Sequence, residues 1–302
     1  MKIAFAKQFV DENFEAPSQA LQYRKKARAA ARKLPDFGQS IIRFGPCSST
    51  KGRCQRATCP TCTRRMRKDL VAFADRELLH QRDWFFVTGY FAGWTFPDGD
   101  AATMPPFRSS RVVQNLRQRL RRHASGELLV IGAVDAVFIH RANVAKGTCF
   151  HVHLLITGAS KSEIRKAFAT LPLDREFHVP LQIKRVAKSA SALKTRQNFL
   201  ESLTYCVKQP YWAAHYPDAK NASKQRSFPK PRELAQIVGH FGKRSISDRL
   251  ILGGVRYEHR RFALVKSAVK SSSKVKSAKP KPRLKSVSRT RHKTHNHWKS
   301  SH

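Results

Sequence analysis

The chain has 302 residues, with 59 Lys or Arg against 20 Asp or Glu and a formal net charge of +39. That length suits one large domain or two small ones, and a charge of that sign and size points to a polyanionic partner, nucleic acid being the commonest. The longest apolar stretch, Leu128 to Ile139, is broken by Gly132 and Asp135, so no membrane span is expected.

Residues 1–44 are expected to form a basic helical region, because the run from Tyr23 to Lys33 is built from Ala, Lys and Arg. The opening segment MKIAFAKQFVDENFEAP carries acids early and lacks a signal peptide's apolar core, so a cytoplasmic protein is expected. Thiols stay reduced there. Residues 45–82 hold Cys47, Cys54, Cys59 and Cys62, four of the six cysteines within sixteen residues. The CPTC end reads as a zinc knuckle, and four thiolates can complete a tetrahedral structural zinc site. The basic run after it, Arg64, Arg65, Arg67 and Lys68, is expected to contact DNA phosphates, and Arg64 to Gln81 has the apolar spacing of a helix.

The next elements read as a strand at 83–91, a Gly/Pro/Asp loop at 92–106 and a basic amphipathic helix at 111–123. Strands follow at 127–140 and 148–158, joined by a turn. A helix at 160–171, a strand at 177–186 and a helix at 193–210 ending at Pro210 complete the series. The order β-α-β-β-α-β-α predicts an α+β fold: an antiparallel sheet with a split β-α-β core, ferredoxin-like or RRM-like, and helices on one face. Residues 83–212 are taken as this core and 213–265 as a helical extension. Residues 266–302 hold twelve Lys or Arg, no acid and few apolar residues, and are expected to be a disordered basic tail.

Two short motifs carry chemistry. In FHVHLLI, alternation along a strand turns His151 and His153 to one face, about 7 Å apart at the backbone, where both can reach one divalent ion. In YCVK, Tyr205 and Lys208 are three apart and share a helix face, with Glu201 one turn earlier. A phenol is a weak nucleophile, and a neighbouring cation stabilises both the phenolate and the charge developing on a phosphate under attack. One of thirteen histidines, or a half-buried tyrosine, carries no such meaning alone. The two motifs are separated by only one helix and one strand, which in the split topology brings the last helix beneath the strand carrying the histidines.

Together they resemble the His-hydrophobic-His (HUH) endonucleases, in particular plasmid and phage rolling-circle replication initiators. The resemblance covers roughly residues 83–210. It implies His151 and His153 as ligands of Mg²⁺ or Mn²⁺, Tyr205 as nucleophile and Lys208 as its cation. It also implies a third, acidic ligand from the neighbouring strand. Asp135 is the natural choice, since a lone acid in an apolar strand is costly unless paired or metal-bound; His140 is the reserve. The implied activity is nicking and joining of single-stranded DNA through a 5′-phosphotyrosine. The free 3′-OH primes synthesis, with a host helicase and polymerase as partners in a bacterial cell. The next tyrosine, Tyr211, lies past Pro210, so single-tyrosine chemistry is expected. The same motifs serve transposases and mobilisation relaxases, and a non-catalytic zinc-containing nucleic-acid-binding protein would carry them by coincidence.

Overall fold

The computed structural model describes residues 2–32, 47, 54–78, 83–99, 110–141, 144–177, 179–210, 212–216, 225–242 and 244–265. The basic tail at 266–302 and Tyr211 lie outside them. Among the described residues, no helix is long and apolar enough to cross a membrane.

Four strands form the centre: β1 (Phe85–Pro97), β2 (Leu129–Arg141), β3 (Val144–Thr157) and β4 (Leu181–Arg185). Their order is β4-β1-β3-β2, and all three adjacent pairs are antiparallel. Helix α4 (Arg111–His123) connects β1 to β2, and α5 (Lys161–Phe168) connects β3 to β4. This is the strand order of a split β-α-β unit. Apolar residues fill both faces of β2 and β3, as expected for strands covered on both sides.

Both faces are covered by helices, which corrects the expectation of one. On one face Phe168 of α5 packs where a side chain at Gly89 would stand. Helix α7 (Pro231–Phe241) lies over the same face, with Phe241 against Phe150. On the other face lies α6 (Ala192–Cys206), its Phe199 against Trp84. Helix α6 thus lies beneath the strand carrying the histidines, as the topology implies, whereas short apolar repeats do not say that α5 and α7 cover the other face.

The region expected to be a helical extension is mixed. Strand β5 (Trp212–Tyr216) pairs in parallel with β2, and β6 (Gln225–Ser227) pairs with β5. After α7, a four-residue helix α8 (Ile246–Arg249) leads into β7 (Leu250–Gly253), which also pairs with β2. A hairpin of β8 (Val255–Glu258) and β9 (Arg261–Leu264) follows. None of these strands exceeds five residues, too short for a period to register.

The N-terminal region holds two helices, α1 (Lys2–Asn13) and α2 (Pro17–Arg32), before α3 (Pro60–Glu77). Helix α3 starts inside the cysteine motif, with Cys59 as N-cap and Pro60 in the first turn, where its missing N–H costs nothing. Cys149 and Cys206 are fully buried, as their isolation in apolar sequence predicts.

Candidate metal centre and tyrosine site

Register places the site. Tyr90 on β1, His151 on β3 and Asp135 on β2 are cross-strand partners in one row, and Thr88, His153 and Ala133 form the next. Alternation turns Asp135, His151 and His153 to the α6 face. Their imidazole Nε2 atoms are 3.0 Å apart, and Asp135 Oδ2 is 3.6 Å from His151 Nε2 and 3.5 Å from His153 Nε2. The three residues are buried and could together hold a metal ion.

The end of α6 closes the site. The Tyr205 ring lies 5.0 Å from the His153 ring, and Lys208 Nζ sits 3.8 Å from the centre of the Tyr205 ring. That ammonium is 2.7 Å from Asp135 Oδ2 and 3.3 Å from His153 Nε2. An ammonium only donates, so His153 Nε2 accepts and the ring proton belongs on Nδ1, where Thr88 Oγ1 lies 2.9 Å away. Thr88 therefore leaves the Nε2 lone pair facing into the site, toward the space between it and the carboxylate that a cation would occupy, as outer-shell partners of metal-bound histidines do. Burial pushes the Asp135 carboxyl up, but the Lys208 ammonium, with the two imidazoles beside it, outweighs that and holds the group well below the usual carboxylate range. Asp135 Oδ1 accepts no hydrogen bond among the described residues.

Lys208 is not on the helix, contrary to what the spacing implies. Helix α6 ends at Cys206, and the turn at Val207 carries Lys208 over the sheet. Arg249 fixes that turn. It is buried, its Nε donates to Val134 O at 2.7 Å, and its Nη2 donates to Lys208 O. The same Nη2 is 3.9 Å from Asp135 Oδ1. Sequence reasoning misses Thr88, Tyr90 and Arg249. The alternation of Phe86, Thr88 and Tyr90 in FFVTGYF is a usable signal, whereas Arg249 is one of many arginines and carries none.

The cavity over the site is about 670 Å³ and is lined also by Phe86, Gln182, Lys184, Asn198 and Glu201. Tyr90 stacks on His151 and on Phe177, at 4.9 and 4.0 Å between ring centres. Glu201 lines this cavity with Tyr205, as its spacing suggests, and accepts a hydrogen bond from Gln197. His140, the reserve ligand, is instead 2.9 Å from Glu233 and stands on the opposite sheet face.

The four clustered cysteines also converge. Cys47 Sγ is 3.5 Å from Cys62 Sγ and 3.7 Å from Cys59 Sγ, and Cys54 Sγ is 3.8 Å from Cys62 Sγ. The group could hold a second ion. Side-chain bonding to Cys59 lowers the Cys47 thiol to about 6 and that of Cys54 to about 2, whereas Cys54 pushes Cys62 up to about 12. Crowding of this kind relaxes when all four are thiolates around a cation.

The basic run beyond the cysteines divides. Arg64 Nε donates to Glu15 O at 2.6 Å, and Arg67 is buried, pairing with Glu15 at 2.9 Å and lying 4.0 Å over the Phe14 ring. Both tie α3 to the α1–α2 turn, which buries Arg67 and leaves Arg64 half-buried, while Arg65 and Lys68 are exposed. One-residue alternation of charge could not reveal this, because it follows from where the turn before α2 lands. No protein-family model, no curated protein and no solved structure matches this chain.

Proposed function

We propose that this protein is a metal-dependent, tyrosine-nucleophile DNA strand transferase of the kind that initiates rolling-circle replication. One observation carries the reading: Tyr205, Lys208, Asp135, His151 and His153, drawn from three segments of the chain, line a single cavity. The donor set suits a divalent cation. Two neutral nitrogens and one carboxylate leave coordination positions open. Ligand bonds of about 2.1 Å require donors about 3.0–3.4 Å apart, close to the separations found. The pocket already attracts a cation, since the Lys208 ammonium rests on Asp135. Bound there, Mg²⁺ or Mn²⁺ would polarise the scissile phosphoryl group.

The chain's own residues supply the rest. The Tyr205 oxygen attacks phosphorus, the bond to the upstream 3′-oxygen breaks, and the products are a 5′-phosphotyrosine and a free 3′-OH. Lys208 offsets the negative charge developing on the phenol oxygen and phosphate. Phe86 and Tyr90 line the cavity as half-buried rings and are the aromatic surface an unstacked base would meet there. A later attack by a 3′-OH on the phosphotyrosine reverses the chemistry and joins the strand. The 3′-OH would prime a host polymerase, with a host helicase opening the duplex.

The cysteine group reads as a structural zinc site. A tetrahedron with Zn–S bonds of about 2.3 Å has edges of about 3.8 Å, and the closest sulfur pairs lie at 3.5 to 3.8 Å.

The test is a covalent adduct. Wild-type protein, single-stranded origin DNA and Mn²⁺ should give a protein–DNA species stable to denaturant. Tyr205→Phe should give none while binding the same strand within about twofold, because only the nucleophilic oxygen is removed. An adduct that persists in Tyr205→Phe would move the nucleophile to another tyrosine.

A further inference from the structure

Two of the four basic residues expected to meet DNA are committed to internal contacts, which leaves Arg65 and Lys68 of that run and makes other basic surfaces of this highly charged molecule worth weighing. The α4–α5 layer is such a surface. Helix α4 contains five arginines and no acid. Val113, Leu116 and Leu120 face inward, and Arg111, Gln118 and Arg122, at spacings of seven and four, run along the opposite, exposed side. Arg119 reaches across to Thr170, just beyond α5, so the two helices present one surface. On α5, Lys161, Arg165 and Lys166 are exposed, and the single acid of the two helices, Glu163, is committed to the Ser160 capping box and to Ser125. Arg111, Arg122 and Lys166 form no ion pair among the described residues.

We propose that the exposed face of α4 and α5 is a duplex-DNA docking surface, on the side of the sheet away from Tyr205. This rests on the nicking reading for its role, but not for its evidence. Chemistry favours a duplex over a single strand. The exposed positions of both helices bear cations and amides and no aromatic ring, and such groups meet phosphates rather than unstacked bases. The half-buried rings of the metal-site cavity, Phe86 and Tyr90, are on the other face. A route joins the two. A cleft lined by Ser125, Gly126, Ser160 and Lys161, at the facing ends of α4 and α5, is bordered by Phe85, by Arg185 in its ion pair with Asp83, and by Glu127. Arg185 also borders the metal-site cavity. A duplex held on the helices can thus feed its melted strand around the sheet's end to Tyr205.

The test uses full-length protein with Arg111→Gln, Arg122→Gln and Lys166→Gln combined, and fluorescence anisotropy on a duplex and on a single strand across a salt series without added divalent ion. The slope of log affinity against log salt should fall by about 2.7 on duplex, about 0.9 for each phosphate that the variant no longer neutralises. Duplex affinity at about 150 mM salt should drop roughly tenfold or more, with single-strand affinity changing less than about threefold. An unchanged duplex slope, or equal weakening on both substrates, overturns the proposal. No strand is cut in this assay, so failure to form the covalent adduct would remove the nicking reading and leave the docking result standing.

Discussion

Among the described residues two groups are able to hold a metal ion, and they are built on opposite plans. Asp135, His151 and His153 sit on two paired strands, so the positions of their side chains follow from register. Cys47, Cys54, Cys59 and Cys62 sit on irregular chain and the first turn of α3, held where short backbone links dock on the segment before α8: Ala57 N to Arg244 O and Ile246 N to Gln55 O, at 2.9 and 2.7 Å. The first group opens into a cavity and already has a cation, Lys208, on its carboxylate. The second is surrounded by its own sulfurs. A rigid, open site with mixed donors suits chemistry on a bound phosphate, and a closed all-sulfur site suits holding the chain together.

The largest effect that would separate the two roles comes from His151→Ala or His153→Ala. Either should abolish metal-dependent adduct formation while metal analysis still finds one zinc per chain. Full activity in both variants at low Mn²⁺ would end the distinction. Cys59→Ser should do the reverse: zinc content falls below one equivalent, and stability drops by roughly 3 kcal/mol or more, since metal binding of this kind is folding free energy. A melting temperature within a degree of wild type, with freely reactive thiols, would show that the cysteines hold nothing. Some decline in nicking is expected as well, because Arg196 of α6 pairs with buried Asp75 of α3, so the cysteine-capped helix braces the tyrosine helix.

Lys208→Met probes the overlap between a resident ammonium and a divalent ion. Without added metal the variant should be less stable by about 3 kcal/mol or more, because a buried carboxylate is left without its partner. Mn²⁺ should restore that stability and bind more tightly than to wild type, read by calorimetry, while the adduct forms more slowly. Weaker Mn²⁺ binding would make Lys208 an aid to the ion rather than its competitor. The smallest effect is pH dependence. Asp135 has its carboxyl depressed in the folded state, so its contribution is complete above the ordinary value near 4 and is lost as pH falls further. Urea melts should show wild type losing more stability than Asp135→Asn below about pH 4. Parallel decreases would mean that the carboxylate is not held by its cations.

Much of this architecture is legible in the chain. The β-α-β-β-α-β order follows from residues whose period changes from 2 to 3.6, and strand alternation alone turns His151 and His153 to one face. The lone acid in IGAVDAVFI marks Asp135 because burial of an unpaired charge is too costly to be accidental. The cysteine spacing marks the second group. What the sequence could not determine were distances set between segments far apart in the chain. That helices cover the second face of the sheet as well, that Lys208 leaves the helix to reach Asp135, that Arg249 staples that turn to β2, and that Arg64 and Arg67 serve Glu15 all depend on where a later or earlier segment lands. Local propensity fixes the type of an element, whereas partners across 41 to 115 positions are chosen by burial and hydrogen-bond satisfaction in the folded whole.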